Sequence, residues 1–153
     1  MAYLVDTNVL VRLANTDDAL FGVAELAVQK LHRSGETLLI TAQAMIEFRN
    51  VATRSKSLNG LGLSVVDAET KAAAFELTFP LVEEIPAIYP AWQAIVQAAG
   101  VIGKQVHDAR LVAVCHAHGV THLLTFNEVH FARLASLPPG LIVVSPMTIG
   151  ASA

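Results

Sequence analysis

Asp6, Glu47, Asp108 and Asn127 have the side-chain types for metal-assisted chemistry, provided the fold gathers them. Three carboxylates in one crevice repel each other, and leaving them unpaired is costly. A divalent cation relieves that repulsion. Donors that are all oxygen select a hard ion, Mg²⁺ or Mn²⁺, over zinc. Such an ion offers phosphate oxygens a cationic site and lowers the pKa of a water bound to it. Each residue also has an ordinary reading. Asp6 and Asp108 suit helix N-caps, Glu47 an exposed helix charge, and Asn127 a turn.

The elements that must position them can be read from periodicity. Tyr3-Leu4-Val5 is a short apolar run that ends at Asp6, followed by turn chemistry at Thr7-Asn8 and a helical face of Val9, Leu10 and Leu13. Asp17 is expected to cap a second helix ending near Ser34-Gly35. Thr37 to Thr41 reads as a strand, and Met45 to Val51 as the heart of a helix with Glu47 off its apolar stripe. Ser57 to Ser64 is a loop, and Asp67 opens a helix to Phe79. Leu81 to Ile85 is a strand or an extended connector. Helices are expected over Ala91 to Ala99 and His107 to His118, with Gly119 as a C-terminal cap. Thr121 to Thr125 and Leu141 to Val144 read as strands, with a helical turn at Phe131 to Leu134 between them. Short apolar strands alternating with helices predict a three-layer α/β/α fold with a parallel sheet. In such a sheet the carboxyl ends of strands face the ligand crevice. That edge is where the four side chains can converge.

Composition narrows the function classes. The chain has 153 residues, 54% hydrophobic and 15% charged, which fits one folded domain and excludes a disordered segment. The apolar excess leaves surface for a partner. A formal net charge of −3 argues against a broad nucleic-acid-coating module, though not against a small acidic site that meets phosphate through metal. Cys115 is the one cysteine, so neither an intrachain disulfide nor a Cys-based zinc site is expected. No signal peptide is expected. Ile85 to Gly103 lacks charge, but Pro86, Pro90, Gln93 and Gln97 interrupt it, and it reads as a buried helix start rather than a membrane span.

VDTNVL, MIEFRNV, HDARLVAVCHAHG and LLTFNEVHF, in that order, resemble the PIN-domain family, and within it the VapC-type toxins of bacterial toxin–antitoxin pairs. The resemblance spans nearly the whole chain. It implies one PIN-like α/β/α domain over residues 1–149 with a mainly parallel five-stranded sheet; the residues after it, 150–153, read as a frayed tail. It implies an Mg²⁺- or Mn²⁺-dependent endoribonuclease that cuts single-stranded regions of RNA. By matched position, Asp6, Glu47 and Asp108 are the acidic metal ligands, and Asn127 holds the place where the family has Asp or Asn. Thr7 and Asn8 support Asp6, and Thr125 matches a supporting hydroxyl. The chain departs from many relatives in having His130 where they have a further Asp; Glu128 is a nearby carboxylate off the motif.

A cognate antitoxin protein and a homodimer also follow from the resemblance, and a cytoplasmic location is expected, in keeping with the lone cysteine. The apolar surfaces around Phe21, Val23 and Leu26 and around Ala72 to Phe75 are expected to form the antitoxin groove. Arg12, Arg49, Lys104 and Arg110 are candidates for contact with the RNA backbone. Two other readings compete. One is a non-catalytic PIN-like module that binds RNA or a protein. The other is a phosphatase with Asp6 as nucleophile, disfavoured because Asn8 stands where a second Asp is wanted.

Overall fold

The computed structural model describes residues 1–151. Its elements in order are β1 (Ala2–Val5), α1 (Thr7–Leu13), α2 (Phe21–Arg33), β2 (Thr37–Leu39), α3 (Ala42–Thr53), a 3₁₀ turn (Lys56–Leu58), α4 (Val65–Thr78), α5 (Ile88–Ala99), α6 (Gln105–His118), β3 (His122–Leu124), α7 (Glu128–Ala135), β4 (Ile142–Val144) and α8 (Pro146–Ala151). The strands form one parallel sheet in the order β2-β1-β3-β4.

Side chains alternate across this sheet, as strand geometry requires. Leu4 and Leu123 face a cluster with α5, α6 and α7, and Leu39 and Val143 pack against it. Tyr3, Val5, Leu38 and Leu124 face the opposite cluster, built with α1 to α4. The layer of α6 is almost wholly interior, with Ala109 and Leu111 to Cys115 buried. It ends at Gly119, whose φ of 66° is the left-handed conformation that a residue without Cβ adopts freely.

The sheet has four strands where five were expected. The missing one is reduced to a single parallel bridge between Ile40 and Leu81. Ile40 N donates to the Pro80 carbonyl at 3.0 Å and Val82 N donates to the Ile40 carbonyl at 2.9 Å. Pro80 has no N–H, and Pro86 lies just beyond, so the ladder cannot extend far in either direction.

Helix starts differ from their sequence signals, earlier for α4 and later for α2. Ser64, not Asp67, caps α4: its side chain accepts from Asp67 N at 3.0 Å. α2 begins at Phe21 rather than near Asp17, because Asp18 spends its Oδ1 on Leu20 N at 2.8 Å in a local turn. α8 takes in Gly150 and Ala151, where a frayed tail was expected; the rest of that stretch, 152–153, lies outside the described residues. Among the described residues no helix is long and apolar enough to cross a membrane.

α3 carries Glu47, so its anchoring matters to the site. Phe48 is fully buried and meets Phe75 of α4 edge-on, with centroids 5.1 Å apart. Replacing Phe48 by Ala should cost about 3–5 kcal/mol in urea unfolding, since a large ring leaves a cavity. Leu77→Ala, at a position 91% exposed, should change stability by no more than about 0.5 kcal/mol.

Candidate active site

The ladder continues past the named strand ends and brings two side chains together. Asp6 N donates to the Leu124 carbonyl at 3.0 Å, and Thr125 N to the Val144 carbonyl at 3.0 Å. Asp6 and Thr125 therefore leave adjacent strands side by side, at the carboxyl edge. β1 and β3 lie where the chain's winding reverses, the position at which open parallel sheets form their crevice.

Asp6 caps α1 with its own side chain. Its Oδ1 accepts from Thr7 N at 2.7 Å. Its Oδ2 accepts from Thr125 Oγ1 at 2.8 Å and from Asn8 Nδ2 at 3.1 Å. Asn8 also donates to Thr125 Oγ1 at 3.0 Å and accepts from Phe126 N at 3.0 Å. Thr125 Oγ1 in turn accepts from Asn127 N at 3.0 Å. Thr7, expected to support Asp6, does so through its backbone and uses its hydroxyl on Glu47, donating to Oε2 at 2.8 Å.

Asp108 lies in the first turn of α6 but does not cap it, since Lys104 holds the cap position. Asn127 holds the cap position of α7, yet its side chain makes no capping bond. Asp6, Glu47, Asp108 and Asn127 all line one cleft of about 290 Å³, together with Thr7, Asn8 and Arg12. The fold thus gathers the four residues singled out from sequence. Glu128, the nearby carboxylate, is exposed and does not line the cleft.

Gln43 was not anticipated. Its Nε2 donates to Glu47 Oε1 at 3.0 Å and to the His107 carbonyl at 2.9 Å, and so ties α3 to the start of α6. The available signal was its spacing, four residues before Glu47 on the same helical face. Arg110 braces Gln43 from the far side, donating to Oε1 at 3.2 Å.

Burial pushes the Asp6 acid up to about 6. The hydrogen bonds from Thr125 and Thr7 oppose that rise, and the charges of Glu47 and Asp108 add to it. Burial likewise raises Asp108; His130 opposes, Glu47 adds, and His107 opposes.

The donor set suits a hard divalent cation: all oxygen, three carboxylates and an amide, with one carboxylate buried. Among the described residues no group of three or more His, Cys, Asp or Glu is arranged to hold a metal ion. Glu47 directs one oxygen to Thr7 and the other to Gln43.

The remaining polar and aromatic residues have structural roles. His118 Nε2 bonds the Glu83 carbonyl at 2.8 Å, and burial lowers the His116 pKa. Cys115 lies in the core, with its thiol pushed up to about 12 by burial. Trp92 donates to the Val106 carbonyl at 2.8 Å and stacks on Tyr89. In the stretch Ala72 to Phe75, Ala72 is buried and Phe75 packs against the core, while Ala73 and Ala74 are exposed.

The Asp6 shift has a definite sign in stability. An ordinary Asp titrates near 4, and Asp6 in the folded chain near 6. Below both values Asp6 is protonated folded or unfolded and has no linked effect. As pH rises through that window the unfolded chain ionises first, so stability falls and stays lower above it. Asp6→Asn should therefore match the parent below about pH 4 and exceed it by about 1–3 kcal/mol above about pH 6, in chelator, by denaturant unfolding.

Residues 3–137 match the PIN domain family. No curated protein sequence matches the chain. Solved structures do. VapBC2 from Rickettsia felis, bound to a DNA fragment from its promoter, superposes with a TM-score of 0.67 at 19% identity, covering 95% of this chain and 98% of that one. VapBC-1 from nontypeable Haemophilus influenzae gives 0.68 at 14%, with coverage of 95% and 98%. VapC20 from Mycobacterium tuberculosis, a toxin that cleaves the sarcin–ricin loop, gives 0.62 at 20%, with coverage of 85% and 93%. At these identities the likeness carries the fold, and the family match over most of the length carries the membership: the chain belongs to the PIN-domain family.

Proposed function

We propose that this protein is a divalent-metal-dependent endoribonuclease, the toxin of a type II toxin–antitoxin pair. The observation that carries this reading is the meeting of Asp6, Glu47, Asp108 and Asn127 in one cleft at the carboxyl edge of the sheet. Those four residues would hold Mg²⁺ or Mn²⁺. When bound, such a cation would neutralise the acidic cluster, offer phosphate oxygens a cationic site and lower the pKa of a water so that hydroxide is available at neutral pH.

The protein's own groups do the positioning. Thr125 and Asn8 set the Asp6 carboxylate through Oδ2, and Thr7 and Gln43 set Glu47 through both of its oxygens. Such supporting hydrogen bonds are worth roughly 10–100-fold in metal affinity. Asn127, free of capping duty, presents a neutral amide and keeps the formal charge of the quartet at that of its three carboxylates.

An antitoxin partner is part of this reading, supported by the toxin–antitoxin complexes among the structural neighbours. So are a cytoplasmic location and a homodimer. An apolar groove of about 530 Å³ beside Tyr89 and Trp92 offers a surface for the second copy. The alternative is a non-catalytic PIN-like module that binds RNA or a protein. It draws on the finding that among the described residues no three or more His, Cys, Asp or Glu are arranged to hold a metal ion.

The deciding assay incubates partner-free protein with labelled RNAs in Mg²⁺, Mn²⁺ or chelator. Cleavage should require the metal and fall by at least about 100-fold in Asp6→Asn and in Asp108→Asn. Thr125→Val should keep turnover at saturating Mn²⁺ but need roughly 10–100-fold more of it. RNA binding without cleavage, unaffected by Asp108→Asn, would favour the binding module.

A further inference from the structure

The four basic residues considered for RNA contact are held in different ways. Arg49 forks onto Glu69, with Nε at 3.0 Å and Nη2 at 2.8 Å. Arg110 is divided between Gln43 and Glu84. Lys104 is exposed ahead of α6 and does not line the acidic cleft. Arg12 does line it, beside the carboxylates.

The site's own framework puts Arg12 there. It lies one turn beyond Asn8 on α1, and residues at that spacing share a helix face. Asn8 fixes the exit of β3 by accepting from Phe126 N. The Phe126 ring then supports Arg12, with the guanidinium carbon 5.1 Å from the ring centroid. On another side Nη1 reaches Asp18 Oδ2 at 3.3 Å, long for a charge-assisted bond. Arg12 Nε is shielded from solvent and has no hydrogen-bond partner among the described residues. The guanidinium is thus oriented by a ring and a carboxylate while its donors remain under-used.

Resting on the nuclease reading, we propose that Arg12 grips a backbone phosphate of the bound RNA strand at the rim of the acidic cleft. A planar guanidinium stacked on an aromatic ring is suited to this, because it is weakly hydrated and its fork matches two phosphate oxygens. The need is evident from charge: a chain of net charge −3 with an acidic cleft repels a polyanion, and Arg12 is the basic residue lining that cleft. The contact is made with bound substrate before reaction, so it acts on KM more than on kcat.

The test measures binding of a labelled single-stranded RNA in Mn²⁺ to Asp6→Asn, which keeps the strand intact, and to Asp6→Asn carrying Arg12→Gln. Between about 50 and 200 mM salt, Arg12→Gln should weaken binding about ten-fold and flatten the slope of log K against log salt by about 0.7, the share of one phosphate on a single strand. In the otherwise unaltered enzyme, KM should rise by a similar factor with kcat held within about two-fold. Arg12→Lys should restore the slope but only part of the affinity, since it keeps the charge and loses the fork. An unchanged slope and affinity in Arg12→Gln, with the chain still folded and still cutting RNA, overturns the assignment of Arg12 and leaves the nuclease reading standing. So does a loss of affinity that tracks a lowered unfolding midpoint with no change in slope. If the unaltered chain neither binds nor cuts RNA, both fall.

Discussion

Asp6 is 7% exposed, and its two carboxylate oxygens still need donors. Burial favours the neutral acid, while hydrogen bonds from Thr7 N and Thr125 Oγ1 favour the carboxylate. One donor comes from the residue next in sequence and another from 119 positions away. The distant one is available because Asp6 N and Thr125 N both continue the sheet ladder. The chemistry of one buried carboxyl group thus depends on β1 and β3 being neighbours. An acid in such a setting has its ionisation coupled to the charges around it, which is the common condition of catalytic groups.

The site lies where the two helical layers meet over the sheet edge. Glu47 comes from α3 on one face and Asp108 from α6 on the other. Gln43 joins the layers by bonding both Glu47 and the His107 carbonyl, and Thr7 joins α1 to α3. These bonds position Glu47 on both sides. They also keep its oxygens directed at protein donors. Arg12 enters the cleft by the same logic, because Asn8, which serves Asp6, also sets the ring on which Arg12 rests.

Much of this arrangement was legible in the chain's own order of residues. The short apolar runs at Tyr3 to Val5 and around Leu123-Leu124 marked strands, and the helical spacings marked the layers between them. The ordered motifs picked out Asp6, Glu47, Asp108 and Asn127, which the fold gathers. Helix starts were less legible. Asp17 and Asp67 had the right chemistry for caps, but Asp18 and Ser64 took the nearby amides instead, and local sequence does not rank such competitors.

Periodicity and side-chain type are local properties, and the sequence by itself determined what is local: the α/β alternation, the acidic residues at strand ends and helix starts, and Gly119 closing α6. Tertiary structure decided the partners. It reduced the fifth strand to the Ile40–Leu81 bridge, where Pro80 and Pro86 limit pairing. It turned the Thr7 hydroxyl to Glu47, recruited Gln43, and separated Arg12 from Arg49 and Arg110 by what each one meets. Those outcomes depend on which strands and helices lie side by side. Sheet order and packing set that adjacency across long stretches of chain, and the residues within any one stretch do not specify it.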